Sequence, residues 1–385
     1  MDRIRRILYG SLLIVVFAPV SLPAAEQWVR LTTPNFELYT TAGEKRGRQA
    51  ILHFEQVRNF FLKVGLDDPG LSHKVRIVGF QSAKEYAPYR PAEAVFAYYL
   101  AGSDRDYIVM QGLDSSTYPV AIHEYVHLLI RYSDLNLPVW LNEGLAELYS
   151  TLEPVAKKVK VGEMLPGRLQ VLMRSKFLDL ETLTSVDHNS PYYNERDRMA
   201  IFYAESWALT HMLQLSDAYR PKFSEFVRAV TSGSSHAEAC QQVFGKSLAQ
   251  VQKELEAYVR ASSYKVGIFD TQLEKSSESP EVEPASLAEV GLTLADLLYA
   301  RHKEDEAEQM LADLSARNPN NAEIVEAQAY LALRKRRSPE EVRPLFEKAV
   351  RLGSTNGKLY YDYAAMLGHG GGRRADRDRS PAKGR

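Results

Sequence analysis

Two histidines four residues apart, with a glutamate directly after the first, stand in the run His123-Glu124-Tyr125-Val126-His127. On a helix this spacing puts both imidazoles on one face, where they can hold one metal ion. It also leaves Glu124 beside them, able to take a proton from an activated water. A catalytic zinc site needs a third protein ligand and an open fourth position. The run Trp140-Leu-Asn-Glu-Gly-Leu-Ala-Glu supplies carboxylates at Glu143 and Glu147. Glu143 is the obvious third ligand, and Glu147, one turn further on the same helical face, is placed to orient a ligand histidine. Two imidazoles and one carboxylate suit Zn2+ best. Zinc lowers the pKa of water toward ~7 and polarises a scissile carbonyl. Glu124 would accept the water proton and pass it to the leaving amine.

HEYVH followed by LNEGLAE resembles the gluzincins of the MA peptidase clan, whose second helix carries the glutamate ligand in an N-E-G-x-A context. The likeness is to exported peptidase-MA-like proteins and, more distantly, to the aminopeptidase N and leukotriene-hydrolase group. The family pattern sets the ligand directly before the glycine, which implies Glu143 rather than Glu147. A third segment, Tyr203-Ala-Glu-Ser-Trp-Ala-Leu, is similar to the family's Y-x-K-G-x-A-L helix, and it follows Glu143 by 60 residues. The resemblance implies that Tyr203 stabilises the oxyanion. Glu205 stands where the family has lysine, and Ser206 where it has glycine. No G-x-M-E-N strand precedes the histidines; the stretch reads Tyr107-Ile-Val-Met-Gln-Gly-Leu. The missing glutamate would have bound a free amino terminus, so the resemblance implies an endo- or oligopeptidase, with aminopeptidase action as an alternative. It also implies that residues 107–111 border the cleft and pair with extended substrate backbone. The resemblance covers about residues 28 to 262 and implies an α+β, thermolysin-like metallopeptidase domain.

The elements that must position these groups can be read from periodicity. Residues 28–41 alternate apolar and polar around Pro34-Asn35 and predict two short strands. Residues 44–64 carry the apolar stripe Ile51, Phe54, Val57, Phe60 and Phe61 of a helix. Strands are expected at 75–80, 95–100 and 107–111, ahead of a helix whose buried stripe is Tyr118, Ile122, Val126, Leu129 and Ile130. Pro138 precedes the helix of Glu143, where its missing N–H does no harm. Helical periodicity returns at 196–215, 219–230 and 247–260. His211, two turns beyond Tyr203, reads as a packing histidine.

The two ends of the chain suggest a division into segments. Residues 1–25 predict a signal peptide: Arg3, Arg5 and Arg6 precede an apolar core, and Pro23-Ala24-Ala25 offers a cleavage site. The apolar stretch is short of a span, so export to the periplasm or beyond is expected, with no stable membrane span after cleavage. Removing this segment, with three arginines against Asp2, takes the net charge from −1 to −3. That balance gives no reason to expect nucleic acid as a partner. The peptidase-like domain is assigned to 26–262. Residues 263–286, polar and proline-bearing, read as a linker. Residues 287–367 resemble tetratricopeptide repeats, two units and one extra helix offset by 35, and imply docking onto the first domain and a protein partner. Residues 368–385, with six basic and two acidic groups, read as a disordered tail. A second reading of the whole chain is a scaffold or adaptor whose zinc is only structural. The intact Glu124 argues against it, since a structural site needs no base.

Overall fold

The computed structural model describes residues 28–64, 73–102, 105–133, 135–261, 263–271, 273 and 275–375. The signal peptide read at 1–25 lies outside them. The chain is α+β. Strands β1 (Val29–Thr32) and β2 (Phe36–Thr40) form a hairpin. Its turn is pinned where the Asn35 backbone N–H and Nδ2 donate to Glu55, at 3.3 and 2.8 Å, on helix α1 (Glu44–Lys63). Strand β3 (Val75–Gly79) runs parallel to β2. After the single turn α2 (Ala83–Tyr86), β4 (Ala97–Ala101) pairs antiparallel with β5 (Asp106–Met110), and β5 lies parallel to β3.

Strand β5 is therefore hydrogen-bonded on both sides, and its backbone cannot accept a further strand. The expectation that residues 107–111 pair with substrate is corrected: the free edge belongs to β4. The other edge strand is β9 (Glu281–Pro284), paired to β1, giving the order β4-β5-β3-β2-β1-β9.

Helices α3 (Tyr118–Tyr132) and α4 (Val139–Ser150) follow the sheet. A short hairpin, β6 (Glu153–Val155) and β7 (Lys158–Val161), is joined by β8 (Gly267–Asp270) into a second, three-stranded sheet. Four helices come next: α5 (Pro166–Arg174), α6 (Leu180–Ser185), α7 (Pro191–Asn194) and the long α8 (Arg196–Leu215). Three more, α9 (Phe223–Thr231), α10 (His236–Ala239) and α11 (Leu248–Val259), complete the helical half. His211 is fully buried on α8, donating from Nε2 to the Gly162 carbonyl at 2.9 Å and accepting the Tyr258 hydroxyl at Nδ1.

Residues 263–286 are not a free linker, because they give β8 to one sheet and β9 to the other. The remaining helices are α12 (Leu287–Ala300), α13 (Glu304–Arg317), α14 (Ala322–Arg334), α15 (Pro339–Arg351) and α16 (Gly357–Ala375). The starts at Leu287, Ala322 and Gly357 step by 35, as do those at Glu304 and Pro339. Helix α16 runs through Ala375, so the tail does not lose structure at Gly368; residues 376–385 lie outside the described part. No helix among the described residues is long and apolar enough to cross a membrane.

Every residue of β3 and β5 is buried, a pattern that demands cover on both faces. On one face Leu38, Ile77 and Ile108 meet Phe54 of α1 and Tyr125 and Val126 of α3. On the other, Tyr39, Val78 and Val109 meet Leu297 and Leu298 of α12 and Leu311 of α13. Polar pins hold that second layer. The Tyr107 hydroxyl donates to Asp296 at 2.7 Å, and Arg76, itself held by Glu37, donates to Thr293 at 2.8 Å.

A chain ended at Ser262 would lose β8 and β9 and leave Tyr39, Val78, Phe80 and Val109 facing water, about 1.5–3 kcal/mol for each side chain uncovered. Such a fragment is expected to be insoluble, or to bind hydrophobic dyes and lose its near-ultraviolet circular dichroism. A soluble fragment with a cooperative melt would contradict the two-sided packing.

Glu205 carries a second expectation. It is fully buried on α8, where Oε2 accepts the Leu178 N–H at 2.8 Å and Oε1 has no hydrogen-bond partner. Burial pushes its carboxyl up to about 8, and the Leu178 bond offsets only part of that. A carboxyl raised on folding stabilises the fold fully below its unfolded pKa of 4.5, and that contribution is lost as pH rises through about 8. Glu205→Gln should therefore leave the melting temperature unchanged at pH 4. At pH 9 it should raise it by on the order of 5 °C. Equal effects at both pH values would show that Glu205 does not titrate in this range.

Candidate metal centre

Helix α3 buries Ala121, Ile122, Tyr125, Val126 and Leu128 and turns His123, Glu124 and His127 toward α4. Helix α4 in turn lies against α8, and Gly144 permits the approach. A Cβ there would press on Thr210 Oγ1 and stand 2.5 Å from the Ser206 carbonyl oxygen. That contact explains why glycine follows Glu143 and why the facing α8 positions are small.

Three donors converge between the helices. His123 Nε2 and His127 Nε2 face each other at 3.1 Å, their rings nearly perpendicular. Glu143 Oε2 lies 3.4 Å from the first and 3.5 Å from the second. Among the described residues, this is the one group of three such side chains whose ligand atoms all fall within 4.8 Å. The donor set fits a divalent ion by its chemistry. Asn142 Oδ1 sits 2.8 Å from His127 Nδ1, which fixes a proton there and leaves the Nε2 lone pair for a ligand bond. Glu143 is 4% exposed, yet its Oε2 has no hydrogen-bond partner of good geometry. A buried carboxylate oxygen aimed between two imidazoles needs a cation.

Burial would lower the His127 pKa. The close approach and charge of Glu143, the charge of Glu124 and the Asn142 hydrogen bond outweigh it and raise the value to about 9. Burial acts on Glu143 in the opposite sense, and the two histidines outweigh it, holding the carboxyl well below the usual carboxylate range.

Around this core the other expected residues take separate positions. Glu124 Oε2 accepts the Tyr99 backbone N–H at 3.1 Å, so the helix glutamate touches the free edge of β4. The strand is registered there by Asp106, which accepts the hydroxyls of Tyr99 and Tyr132, each at 2.6 Å. Glu147, buried on α4, is gripped by Arg168 of α5, Nε to Oε2 at 2.9 Å and Nη2 to Oε1 at 2.6 Å. Its Oε1 is 3.7 Å from His123 Nδ1, beyond a hydrogen bond. Tyr203 stands on α8 with the Arg168 guanidinium over its ring at 5.2 Å. Burial, followed by the charge of Glu143, pushes its phenol far above the ordinary range, so it stays a donor at neutral pH.

Sequence reasoning did not find Arg168 or Tyr193. Tyr193, on α7, donates its hydroxyl to Glu143 Oε1 at 3.1 Å and stacks on Tyr203 with ring centroids 6.4 Å apart. The Ser190-Pro191 pair signals a helix start, but nothing separates Tyr193 from the other tyrosines of the chain. Arg168 lies 21 residues beyond its partner Glu147, with no spacing rule to connect them.

Ligand nitrogens must be deprotonated to bind a metal. With His127 raised to about 9, zinc affinity of chelator-stripped protein should fall by roughly tenfold per pH unit below that value. Calorimetry at pH 7.5 in two buffers of different ionisation enthalpy should show about one proton released per ion bound. His127→Ala should abolish stoichiometric retention after dialysis. Affinity independent of pH between 6 and 8 would show that His127 is not protonated in that range, and zinc retained by His127→Ala would remove it from the ligand set. Comparison with protein-family models finds no match and comparison with curated proteins finds none, so the assignment of this centre rests on its own atoms.

Proposed function

We propose that the chain is an exported zinc metallopeptidase of the gluzincin type, an endo- or oligopeptidase acting on peptides or proteins. The observation that carries the reading is the convergence of His123 Nε2, His127 Nε2 and Glu143 Oε2 beside Glu124, the residue between the two histidines placed to act as base. Bound zinc supplies Lewis acidity, acidifying water toward ~7 and polarising a carbonyl. Glu124 holds one oxygen on the Tyr99 N–H and uses the other to take the water proton, which it returns to the leaving amine. Tyr203 donates to the oxyanion. An extended substrate lies along the free edge of β4, its backbone bonded to the strand whose Tyr99 amide already meets the base. Helices α12 to α16, with their step of 35 residues, are read as tetratricopeptide-like repeats. Their inner layer is committed to the sheet, and their outer surface takes a protein partner.

Glu124→Gln keeps the shape and removes the base, so zinc content should be unchanged while turnover falls by roughly 10²–10⁴. Tyr203→Phe should lose about 10²–10³. Cut sites mapped in a diverse peptide library supply the assay. A zinc-loaded parent that cuts nothing in the library would leave the structural-zinc scaffold as the better account, and a Glu124→Gln variant as active as the parent would show that Glu124 is not the base.

A further inference from the structure

Taking Glu143 as a ligand, we infer that Tyr193 is a positioning residue that keeps one oxygen of Glu143 away from the metal. The two oxygens of this carboxylate have different surroundings. Oε2 faces both Nε2 atoms, whereas Oε1 accepts the Tyr193 hydroxyl at 3.1 Å. A carboxylate with both oxygens free can swing to grip a cation with the pair, filling a coordination position that catalysis needs open. Tyr193 opposes this swing by engaging Oε1.

The phenol is held firmly enough for that task. Helix α7 is a single turn capped by Ser190, whose Oγ accepts the Tyr192 N–H at 3.3 Å, with Pro191 in its first turn. Asn194 Nδ2 ties the turn to the carbonyls of His188 and Ser190, at 2.7 and 3.1 Å. The ring itself meets His188 edge-on at 5.1 Å and Phe202 at 6.1 Å, and stacks on Tyr203. Packing alone would be served equally by phenylalanine. Only the hydroxyl reaches Glu143.

Tyr193→Phe keeps the ring and its packing and removes the hydroxyl, with its bond to Glu143 and its contact with the Tyr203 hydroxyl. Zinc affinity, measured by competition with a chromophoric chelator, should fall by about 10- to 100-fold, the range for losing a group that orients a ligand. The same change in a Glu143→Gln background should produce little further loss, because the two residues act through one bond. Cobalt(II) substituted for zinc gives a second readout: the visible absorption of Tyr193→Phe should weaken relative to the parent as coordination number rises.

Failure of the proposal and failure of the metal reading give different results. If the parent binds zinc and Glu143→Gln binds it measurably more weakly, but Tyr193→Phe retains parental affinity and cobalt spectrum, Tyr193 merely packs. Equal losses from Tyr193→Phe in the parent and Glu143→Gln backgrounds would also overturn the positioning role. A parent that binds neither zinc nor cobalt overturns the metal centre itself.

Discussion

An ionised carboxylate 4% exposed inside a helical core survives only if charge and hydrogen bonds surround it. Glu143 imposes that requirement, and much of the helical half is arranged to meet it. Two imidazoles come from α3, a phenol from α7, and the backbone beneath is brought close by Gly144 against α8. Glu147, one turn away, repeats the problem with a different solution, a two-point ion pair to Arg168. The Arg168 guanidinium then lies on Tyr203, and Tyr203 stacks on Tyr193, which returns to Glu143. The buried acids of α4 are thus joined by one continuous chain of contacts rather than by independent pairs. A change at any one of these side chains alters the surroundings of the next.

The residues that were legible in the sequence are those whose partners are local. His123 and His127 share a face because of helix geometry alone, and Asn142 and Glu143 follow on the next helix. The hairpin around Pro34-Asn35 and the stripes of α1, α3 and α8 likewise follow from period and turn chemistry. Tyr193 and Arg168 were hidden because their roles depend on where α7 and α5 come to rest, 50 and 21 residues from the carboxylates they serve. Composition misled in one place. A polar, proline-bearing stretch is what a linker looks like, but Val282 and Phe269, packed against the core, are enough to seat β9 and β8 when an open sheet edge waits for each. The edge strand was misjudged for a related reason: residues 97–101 and 107–111 are equally strand-like, and only the pairing order decides which one faces out.

The sheet binds the two halves of the chain into one folding problem. Its inner strands are buried on both sides, so neither α1 and α3 nor α12 and α13 can be spared. On one side lies the face that positions α3 and hence the histidines. The other side rests on α12 and α13, fastened through Asp296 and Thr293. Any force that shifts the repeat helices acts directly on the reverse of the strands that support the site.

Closure of that sheet also sets an order of events. Val29 pairs with Pro284, so the outer edge of β1 waits for a partner about 250 residues downstream. A chain emerging amino-terminus first, from a ribosome or through a membrane pore, cannot finish its main sheet until nearly three quarters of its length has passed. Contacts this distant slow folding because loop closure must precede the reward of pairing. The same delay leaves the outer edge of β1 unpaired meanwhile, open to another strand.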